Sequence, residues 1–321
     1  MENLELFKQK IKEAGTIAIF SHVNPDGDTL GTSLALKIMI ETFFNKKAVL
    51  IINGKIPQIY SFLPSVDDTV NNIDIDKNKI FDLAIAVDVA AKDRMSYSLP
   101  LFENSCSTIN IDHHVTNSGY ADLNFIKHNV SSAGEVLFEM FKSLNLPISK
   151  EIATCLYAAI CSDTGNFKYE NTSSQVLKIV GELAELGANP HNISYNIYGV
   201  KPKQMVMLNA YSVNNAVFAY QDKVVYTTIT NDELKKFNAL SEHTEGIVET
   251  LREISSVELS IFFKEINQNQ TKVSMRSKTL DSTLITAKFD GGGHKFASGC
   301  TINKPLKIAV DKVLEELKKY F

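Results

Sequence analysis

Thr16-Ile17-Ala18-Ile19-Phe20-Ser21-His22-Val23-Asn24-Pro25-Asp26-Gly27-Asp28 runs from a short apolar, β-branched stretch through a histidine into a turn that carries two carboxylates. Pro25 and Gly27 are turn formers, so the chain turns after the apolar run and leads straight into a long, largely apolar segment. The pattern predicts a buried strand over 16–21 and a helix over 29–44. The alternation recurs downstream: strands are predicted over 48–52, 83–88 and 108–112, and helices over 133–144, 152–161 and 174–186. Nearly continuous apolar strands separated by helices imply a doubly wound α/β domain, with a parallel sheet covered on both faces. Ligands of such sheets bind beyond the carboxyl ends of the strands, so side chains distant in sequence converge there.

Those strand ends carry acids and imidazoles. His22, Asp26 and Asp28 follow the first strand, Asp88 closes Ala84-Ile85-Ala86-Val87, and Asp112-His113-His114 follows Ile109-Asn110-Ile111. Cys161-Ser162-Asp163-Thr164-Gly165 follows a predicted helix. Each motif alone fits a turn or a cap, but an aspartate closing a buried strand needs a cation or strong donors. Four such motifs in one chain point to a metal centre. Carboxylates mixed with imidazoles suit Mn²⁺, with Mg²⁺, Co²⁺ or Fe²⁺ also compatible. There are too many candidate ligands for a single ion, and a pair of ions is suited to phosphoryl hydrolysis because it activates water and stabilises the developing charge. Adjacent residues on an extended chain point to opposite sides, so one of His113 and His114 is expected to bind metal and the other to face substrate.

A length of 321 residues suggests two domains. Apolar residues at 44% and charged residues at 22% place the chain among ordinary globular proteins, and a net charge of −4 argues against a long polynucleotide ligand, which needs a basic track. A short oligonucleotide or a mononucleotide remains compatible. Apolar runs fall well short of the roughly 20 residues that span a bilayer, and the first residues read as a short amphipathic helix rather than a secretory signal. A cytoplasmic protein is expected. Cys106, Cys155, Cys161 and Cys300 form no CxxC pair and read as reduced, buried thiols.

Residues 1–187 form the predicted first domain. Residues 188–209, with two prolines and several Asn and Gly, read as a linker, and 210–321 as a smaller α/β domain with mixed strands. Its predicted strands cover 223–230, 257–264 and 271–276, its helices 245–254 and 308–320, and a glycine loop covers 291–294. Backbone N–H groups of such a loop can approach a phosphate closely, with Arg276 and His294 adding polar contacts.

The motifs His22-Val23-Asn24-Pro25-Asp26-Gly27-Asp28, Val87-Asp88, Ile111-Asp112-His113-His114 and Ser162-Asp163-Thr164-Gly165, in this order, resemble the DHH phosphoesterase superfamily. Asp93-Arg94, Ser131-Ser132-Ala133-Gly134-Glu135, Phe167 and Asn171-Thr172 add to the resemblance. Ser274-Met275-Arg276-Ser277 and the stretch from Gly291 through His294 to Gly299 resemble the nucleotide-binding parts of the associated DHHA1 domain. Asp290 departs from the commonest glycine run. By length and layout the chain is most similar to the bifunctional oligoribonuclease (nanoRNase) and 3′-phosphoadenosine 5′-phosphate (pAp) phosphatase branch.

The resemblance implies a DHH catalytic domain, a DHHA1 substrate-binding domain and a cleft between them. It implies that His22, Asp26 and Asp88 bind one ion and Asp28, Asp88, His113 and Asp163 the other, with Asp88 shared. It also implies that His114 contacts the scissile phosphate, that Asp112 orients a neighbouring side chain, and that Ser274, Arg276, Gly291, Gly292, Gly293 and His294 bind substrate. Short RNA or DNA oligonucleotides and pAp are the implied partners, with cyclic di-AMP or pApA hydrolysis as the alternative activity. A homodimer is also implied. A nucleotide-binding sensor without catalysis is disfavoured by the complete ligand set.

Overall fold

The computed structural model describes residues 2–321, which divide into two compact units at Val200 and Lys201. The first contains α1 (Glu2–Glu13), β1 (Ile17–Val23), α2 (Gly27–Thr42), β2 (Ala48–Asn53), β3 (Val70–Asn71), β4 (Leu83–Val87), α3 (Leu99–Glu103), β5 (Thr108–Asp112) and β6 (Leu123–Ile126). It continues with α4 (Ala133–Ser143), α5 (Lys150–Asp163), α6 (Ser174–Glu185) and α7 (Pro190–Ser194). The sheet is entirely parallel, in the order β3-β2-β1-β4-β5-β6. The chain winds from β1 outward through β2 and β3, then returns to the other side of β1 with β4. The strand order reverses between β1 and β4, and a crevice opens at such a switch point. His22 and Asp88 stand at its two lips.

Both faces of the sheet are covered, as the apolar strands require. Ile17, Ile19, Leu83, Ile85, Ile109 and Ile111 pack with the buried residues of α1, α2, α4, α5 and α6. Phe20, Phe81 and Phe102 form the opposite layer, with edge-to-face contacts between their rings. Helices α2 and α5 approach so closely that a Cβ on Gly31 would lie 2.4 Å from the Cys155 carbonyl oxygen and 2.9 Å from Ala159 N. That glycine sets the distance between the two helices that carry Asp28 and Asp163.

The second unit contains α8 (Lys203–Asn214), β7 (Val217–Ala219), β8 (Val224–Ile229), α9 (Asn231–Lys236), α10 (Ile247–Arg252), β9 (Leu259–Asn267) and β10 (Gln270–Ser277), then α11 (Thr283–Thr286), β11 (Gly292–His294), β12 (Ala297–Ile302) and α12 (Leu306–Leu317). Its sheet runs β11-β12-β10-β9-β8-β7 and is mixed: β8 and β9 are parallel, and the other pairs are antiparallel. Val224, Leu259, Ile261, Phe263, Val273 and Met275 bury their side chains with α12.

Several local expectations change. Helix α2 begins at Gly27, because Asp26 rather than Asp28 is its N-cap. Asp163 is the last residue of α5 rather than a residue beyond it. The segment read as a linker is largely helical: Asn189 caps α7 with Pro190 in its first turn, a π-turn spans Tyr195–Gly199, and α8 begins at Lys203. The glycine loop is for the most part an edge strand, β11, paired with β12. Cys106 is exposed, whereas Cys155, Cys161 and Cys300 are buried.

Candidate metal centre

The turn after β1 is folded by its own carboxylate. Asp26 Oδ1 accepts from the backbone N–H groups of Asp28 and Thr29, both at 3.1 Å, and so starts α2. Its other oxygen, Oδ2, lies 3.8 Å from His22 Nε2. His22 Nδ1 donates to the Val23 carbonyl at 2.9 Å, which makes Nε2 the nitrogen presented to Asp26 and, at 3.6 Å, to Asp88 Oδ2. Fixing one ring nitrogen on a carbonyl is how metal-binding histidines are commonly oriented.

Asp28, in the first turn of α2, is held by a different helix. Its Oδ2 accepts from Ala133 N at 2.7 Å, and its Oδ1 from Gly134 N at 3.0 Å and Thr32 Oγ1 at 3.0 Å. Ala133 and Gly134 open α4, whose N-terminus favours negative charge. Asp88 sits in the left-handed region at φ 58°, where the chain leaves β4. Its Oδ2 accepts from Thr29 Oγ1 at 2.6 Å, while Oδ1 is buried and has no hydrogen-bond partner. A buried, unpartnered carboxylate oxygen is costly unless a cation completes it.

His113 and His114 follow β5, where the chain is no longer extended, and rather than pointing to opposite sides their ring centroids lie 4.6 Å apart and both approach Asp88 Oδ1. His113 Nε2 lies 3.7 Å from Asp28 Oδ2, 3.6 Å from Asp88 Oδ1 and 3.4 Å from Asp163 Oδ2. His114 Nδ1 donates instead to Asp112 Oδ1 at 2.8 Å and lies 3.5 Å from Asp88 Oδ1. Asp112 is fully buried. The structure thus brings all eight residues singled out in the first unit to one place, and three overlapping groups of them could each hold an ion: His22 with Asp26 and Asp88, Asp28 with His113 and Asp163, and Asp88 with His113 and His114.

The spacing fits metal ligation better than direct pairing. An N–H···O hydrogen bond spans roughly 2.7–3.2 Å, and the contacts of His22 and His113 are longer. Two ligand atoms each about 2.1 Å from a common ion, at octahedral or tetrahedral angles, lie roughly 3.0–3.4 Å apart. The side chains need to close in by only a few tenths of an ångström. The donors are all nitrogen or carboxylate oxygen, with no thiolate among them.

Protonation reports the same accumulation of negative charge. Burial, and then the charges of neighbouring carboxylates, hold Asp28 and Asp163 well above the usual carboxylate range. Burial opposes the charge on His22, but hydrogen bonding and attraction to Asp26 and Asp88 outweigh it and push the imidazole up to about 10. His114 is likewise pushed up to about 9, against its burial, chiefly by Asp112 and Asp88. Burial lowers His113, which favours the neutral ring that a metal requires. Asp26 and Asp112 are lowered: loss of solvent, complete around Asp112 and only partial around the half-exposed Asp26, works against each charge, and His22 and His114 respectively overcome it.

Thr29, Asn117 and Asn171 also shape the centre, and the motifs did not single out Thr29 or Asn117. Asn171 Nδ2 ties the Asp163 carbonyl to that of Ser131, at 3.1 and 3.2 Å. Thr29 was legible only as a residue close after the candidate ligand turn, and Asn117 only as a polar residue in a turn after β5.

The remaining candidate residues lie in the second unit. Strand register places Arg276, Ala297 and His294 in one row across β10, β12 and β11, with Ser274, Gly299 and Gly292 in the next. Paired residues share a face, so Ser274, Arg276 and His294 stand on one surface whose floor is alanine and glycine. Arg276 Nη2 pairs with Glu249 Oε1 at 2.9 Å, and Nη1 donates to the Met275 carbonyl. Gly293 has φ 139°, and a Cβ there would meet the Ala297 carbonyl oxygen at 2.6 Å. A side chain would break the β11–β12 pair at that point.

The parallel sheet, its switch point and the carboxylate–histidine cluster define a metal-dependent phosphoesterase. The DHH family, N-terminal domain, matches residues 16–160, and the DHHA1 domain matches residues 221–321. This chain belongs to the DHH family of phosphoesterases and is a hydrolase. It is 31% identical over 290 residues to the "Probable bifunctional oligoribonuclease and PAP phosphatase NrnA" of Streptococcus mutans, covering 90% of each chain. It is 28% identical over 292 residues to the "Bifunctional oligoribonuclease and PAP phosphatase NrnA" of Bacillus subtilis, covering 89% of each. The crystal structure of an exopolyphosphatase-related protein from Bacteroides fragilis superposes with a TM-score of 0.93 at 26% identity, covering 99% of this chain and 96% of that one.

Proposed function

We propose that this phosphoesterase hydrolyses short oligonucleotides to nucleoside 5′-monophosphates and pAp to AMP and phosphate, with two divalent ions, Mn²⁺ by preference. The observation that carries the reading is Asp88: one carboxylate, with an unpartnered buried oxygen, faces both His22 and His113. It is suited to be shared between a site of His22, Asp26 and Asp88 and a site of Asp28, Asp88, His113 and Asp163. The names of the Streptococcus and Bacillus relatives supply the substrate class.

When bound, the ions supply a nucleophile at neutral pH and neutralise charge on the transferring phosphoryl group. The chain's residues do the rest. Asp26, Asp28 and Asp88 are each held by donors from the protein, which fixes the ligand set before substrate arrives. His114, backed by Asp112, offers a positively charged donor to the scissile phosphate. Both reactions have the same balance: water adds to phosphorus, the P–O3′ bond breaks, and O3′ leaves with a proton. An oligonucleotide yields a 5′-monophosphate and a shortened chain; pAp yields phosphate and AMP.

We assign catalysis to residues 1–187 and nucleotide binding to 210–321, through Ser274, Arg276, Gly291, Gly292, Gly293 and His294. The alanine–glycine floor between Arg276 and His294 admits a flat base or a phosphate. Among the described residues no helix is long and apolar enough to cross a membrane; we assign the enzyme to the cytoplasm on the nature of the proposed substrates. The test is a comparison of dinucleotide, pAp, short DNA and cyclic di-AMP with Mn²⁺, Mg²⁺ or Co²⁺ as the only divalent ion. Mononucleotide release from the dinucleotide and phosphate release from pAp, strongest with Mn²⁺, are expected. Turnover of cyclic di-AMP alone would replace this substrate assignment, and inactivity with every ion would sink the catalytic one.

A further inference from the structure

Asp112 has a second partner besides His114. Asn117 Nδ2 donates to Asp112 Oδ2 at 2.5 Å, and the same amide nitrogen lies 2.7 Å from Asn110 Oδ1 and 3.2 Å from the Val89 carbonyl oxygen. Asn117 Oδ1 accepts from Gly119 N at 2.9 Å. The amide orientation follows from the chemistry of these neighbours: turned over, its carbonyl would face three oxygens, and its N–H groups would face an N–H. Tyr120 closes the network, donating to the Val89 carbonyl at 2.9 Å and accepting from Asn110 Nδ2 at 3.1 Å. Asn117, Asn110 and Asp112 are all buried, and Val89 directly follows Asp88.

We propose that Asn117 is a positioning residue for the reaction: it fixes the rotation of the Asp112 carboxylate and, through the Val89 carbonyl, ties the His114 imidazole to the turn that carries Asp88. This rests on the phosphoesterase reading above. The two oxygens of Asp112 do different work. Oδ1 receives the Nδ1 proton of His114, and Oδ2 is held by Asn117. An ionised carboxylate accepts only, so with Oδ1 fixed on it His114 must carry a proton on Nδ1.

Without Asn117, Asp112 Oδ2 loses its side-chain donor in a fully buried position, and the carboxylate is free to rotate about its remaining contacts to His114 and the His113 backbone. The His114 ring then loses its backing while every proposed metal ligand keeps its own contacts. The loss should fall on turnover and not on metal binding. A residue that served only to fold the β5 turn would instead lower stability, metal affinity and turnover together.

The test uses the metal-loaded full chain and three variants: Asn117→Leu, which keeps the size and removes the donor; Asn117→Ala, in case leucine prevents folding; and Asn117→Ser, which restores one donor. Each is measured for Mn²⁺ affinity by calorimetry, for kcat and KM on a dinucleotide, and, in the Mg²⁺ form, for the low-field Nδ1 proton resonance of His114, assigned with His114→Gln. Expected for leucine or alanine are a fall in kcat of about 10–100-fold, the range seen when a partner behind a metal site is removed, little change in KM or Mn²⁺ affinity, and loss of the resonance to exchange. Serine should recover part of both signals. Unchanged kcat with the resonance intact would overturn the proposal, as would parallel loss of Mn²⁺ affinity and turnover. The resonance is read without substrate, so it decides the role of Asn117 even if the wild-type protein proves inactive on dinucleotides, an outcome that would count against the substrate reading alone.

Discussion

Two glycine-to-alanine changes, chemically identical, are expected to act with opposite sign in the first unit. Gly31 faces backbone: a Cβ would lie 2.4 Å from the Cys155 carbonyl oxygen, 2.9 Å from Ala159 N and 3.0 Å from Ala159 Cβ. Backbone atoms inside a helix cannot turn aside as a flexible side chain can, so α5 must move away from α2 by about the shortfall from ordinary contact, on the order of 1 Å. Overpacking of this kind costs about 1–3 kcal/mol. Gly181, inside α6, faces open space, and a Cβ added there would have nothing within 4 Å. Alanine there is expected to stabilise by roughly 0.5–1 kcal/mol, through reduced freedom of the unfolded chain and better helix propensity. At about 2–4 °C per kcal/mol for a unit of this size, thermal unfolding should separate the variants on either side of the wild type. Gly31→Ala carries a second consequence, because α2 presents Asp26, Asp28 and Thr29 while α5 ends on Asp163. Parting the helices parts ligands that should stay within roughly 0.5 Å of their working geometry, so Mn²⁺ affinity should fall in Gly31→Ala and stay level in Gly181→Ala. Equal melting temperatures, or equal Mn²⁺ affinities in calorimetry, would refute the close-approach argument.

Three further outcomes follow from the site. His22 and His114 have folded-state values raised to about 10 and 9, so their contribution is complete below their unfolded value near 6.5 and is lost as pH rises through the folded values; the melting temperature of metal-free protein should drop between pH 6.5 and about 10, and the rise on adding Mn²⁺ should grow over that window. Thr29→Val removes the hydroxyl that donates to Asp88 at 2.6 Å but keeps the branched shape; a destabilisation of about 1–3 kcal/mol in metal-free protein is expected from denaturant titration, with weaker Mn²⁺ binding by calorimetry. Arg276→Ala should raise KM for pAp more than it lowers kcat, while Glu249→Gln, which removes the negative charge now held 2.9 Å from the guanidinium, should lower KM; steady-state kinetics of both variants check this.

The parts of this protein legible in its sequence are those where one side chain does one job at a strand end. Asp88 after four apolar residues and Asp112-His113-His114 after another apolar strand announced both the sheet and the convergence of ligands, because buried strands leave few places for charge. The edge strands were hidden for physical reasons. β6 is four residues interrupted by Asn124, and β11 is two glycines and a histidine, with almost no side-chain pattern to read. In the segment read as a linker, Asn189-Pro190 could mark either a turn or a helix start, and the structure takes the second course. The donors to Asp28 were illegible in a different way. They are backbone N–H groups of Ala133 and Gly134, which carry no residue identity, and only the small side chains needed for close approach left a trace. Gly134 leaves just enough room, since a Cβ would meet Ala159 Cβ at 2.8 Å.

Three of the carboxylates divide their oxygens in the same manner. Asp26 uses Oδ1 to start α2 and turns Oδ2 to His22; Asp88 gives Oδ2 to Thr29 and leaves Oδ1 unpartnered beside His113; Asp112 gives Oδ2 to Asn117 and Oδ1 to His114. One oxygen is anchored by the scaffold and the other works. That arrangement accounts for the placement of so many acids in a buried crevice: anchoring donors offset part of the cost of assembling them, and the residual charge is what draws the cations. It also separates two kinds of substitution. Replacing a carboxylate removes a ligand or the backing of His114, whereas removing an anchoring donor leaves the ligand present but free to rotate, so the first should abolish the site and the second should loosen it. For these three carboxylates the side-chain anchors are Thr29 and Asn117, one behind a proposed metal ligand and one behind the proposed phosphate contact. Their variants should differ accordingly, with Thr29→Val read mainly in metal affinity and Asn117→Leu mainly in turnover.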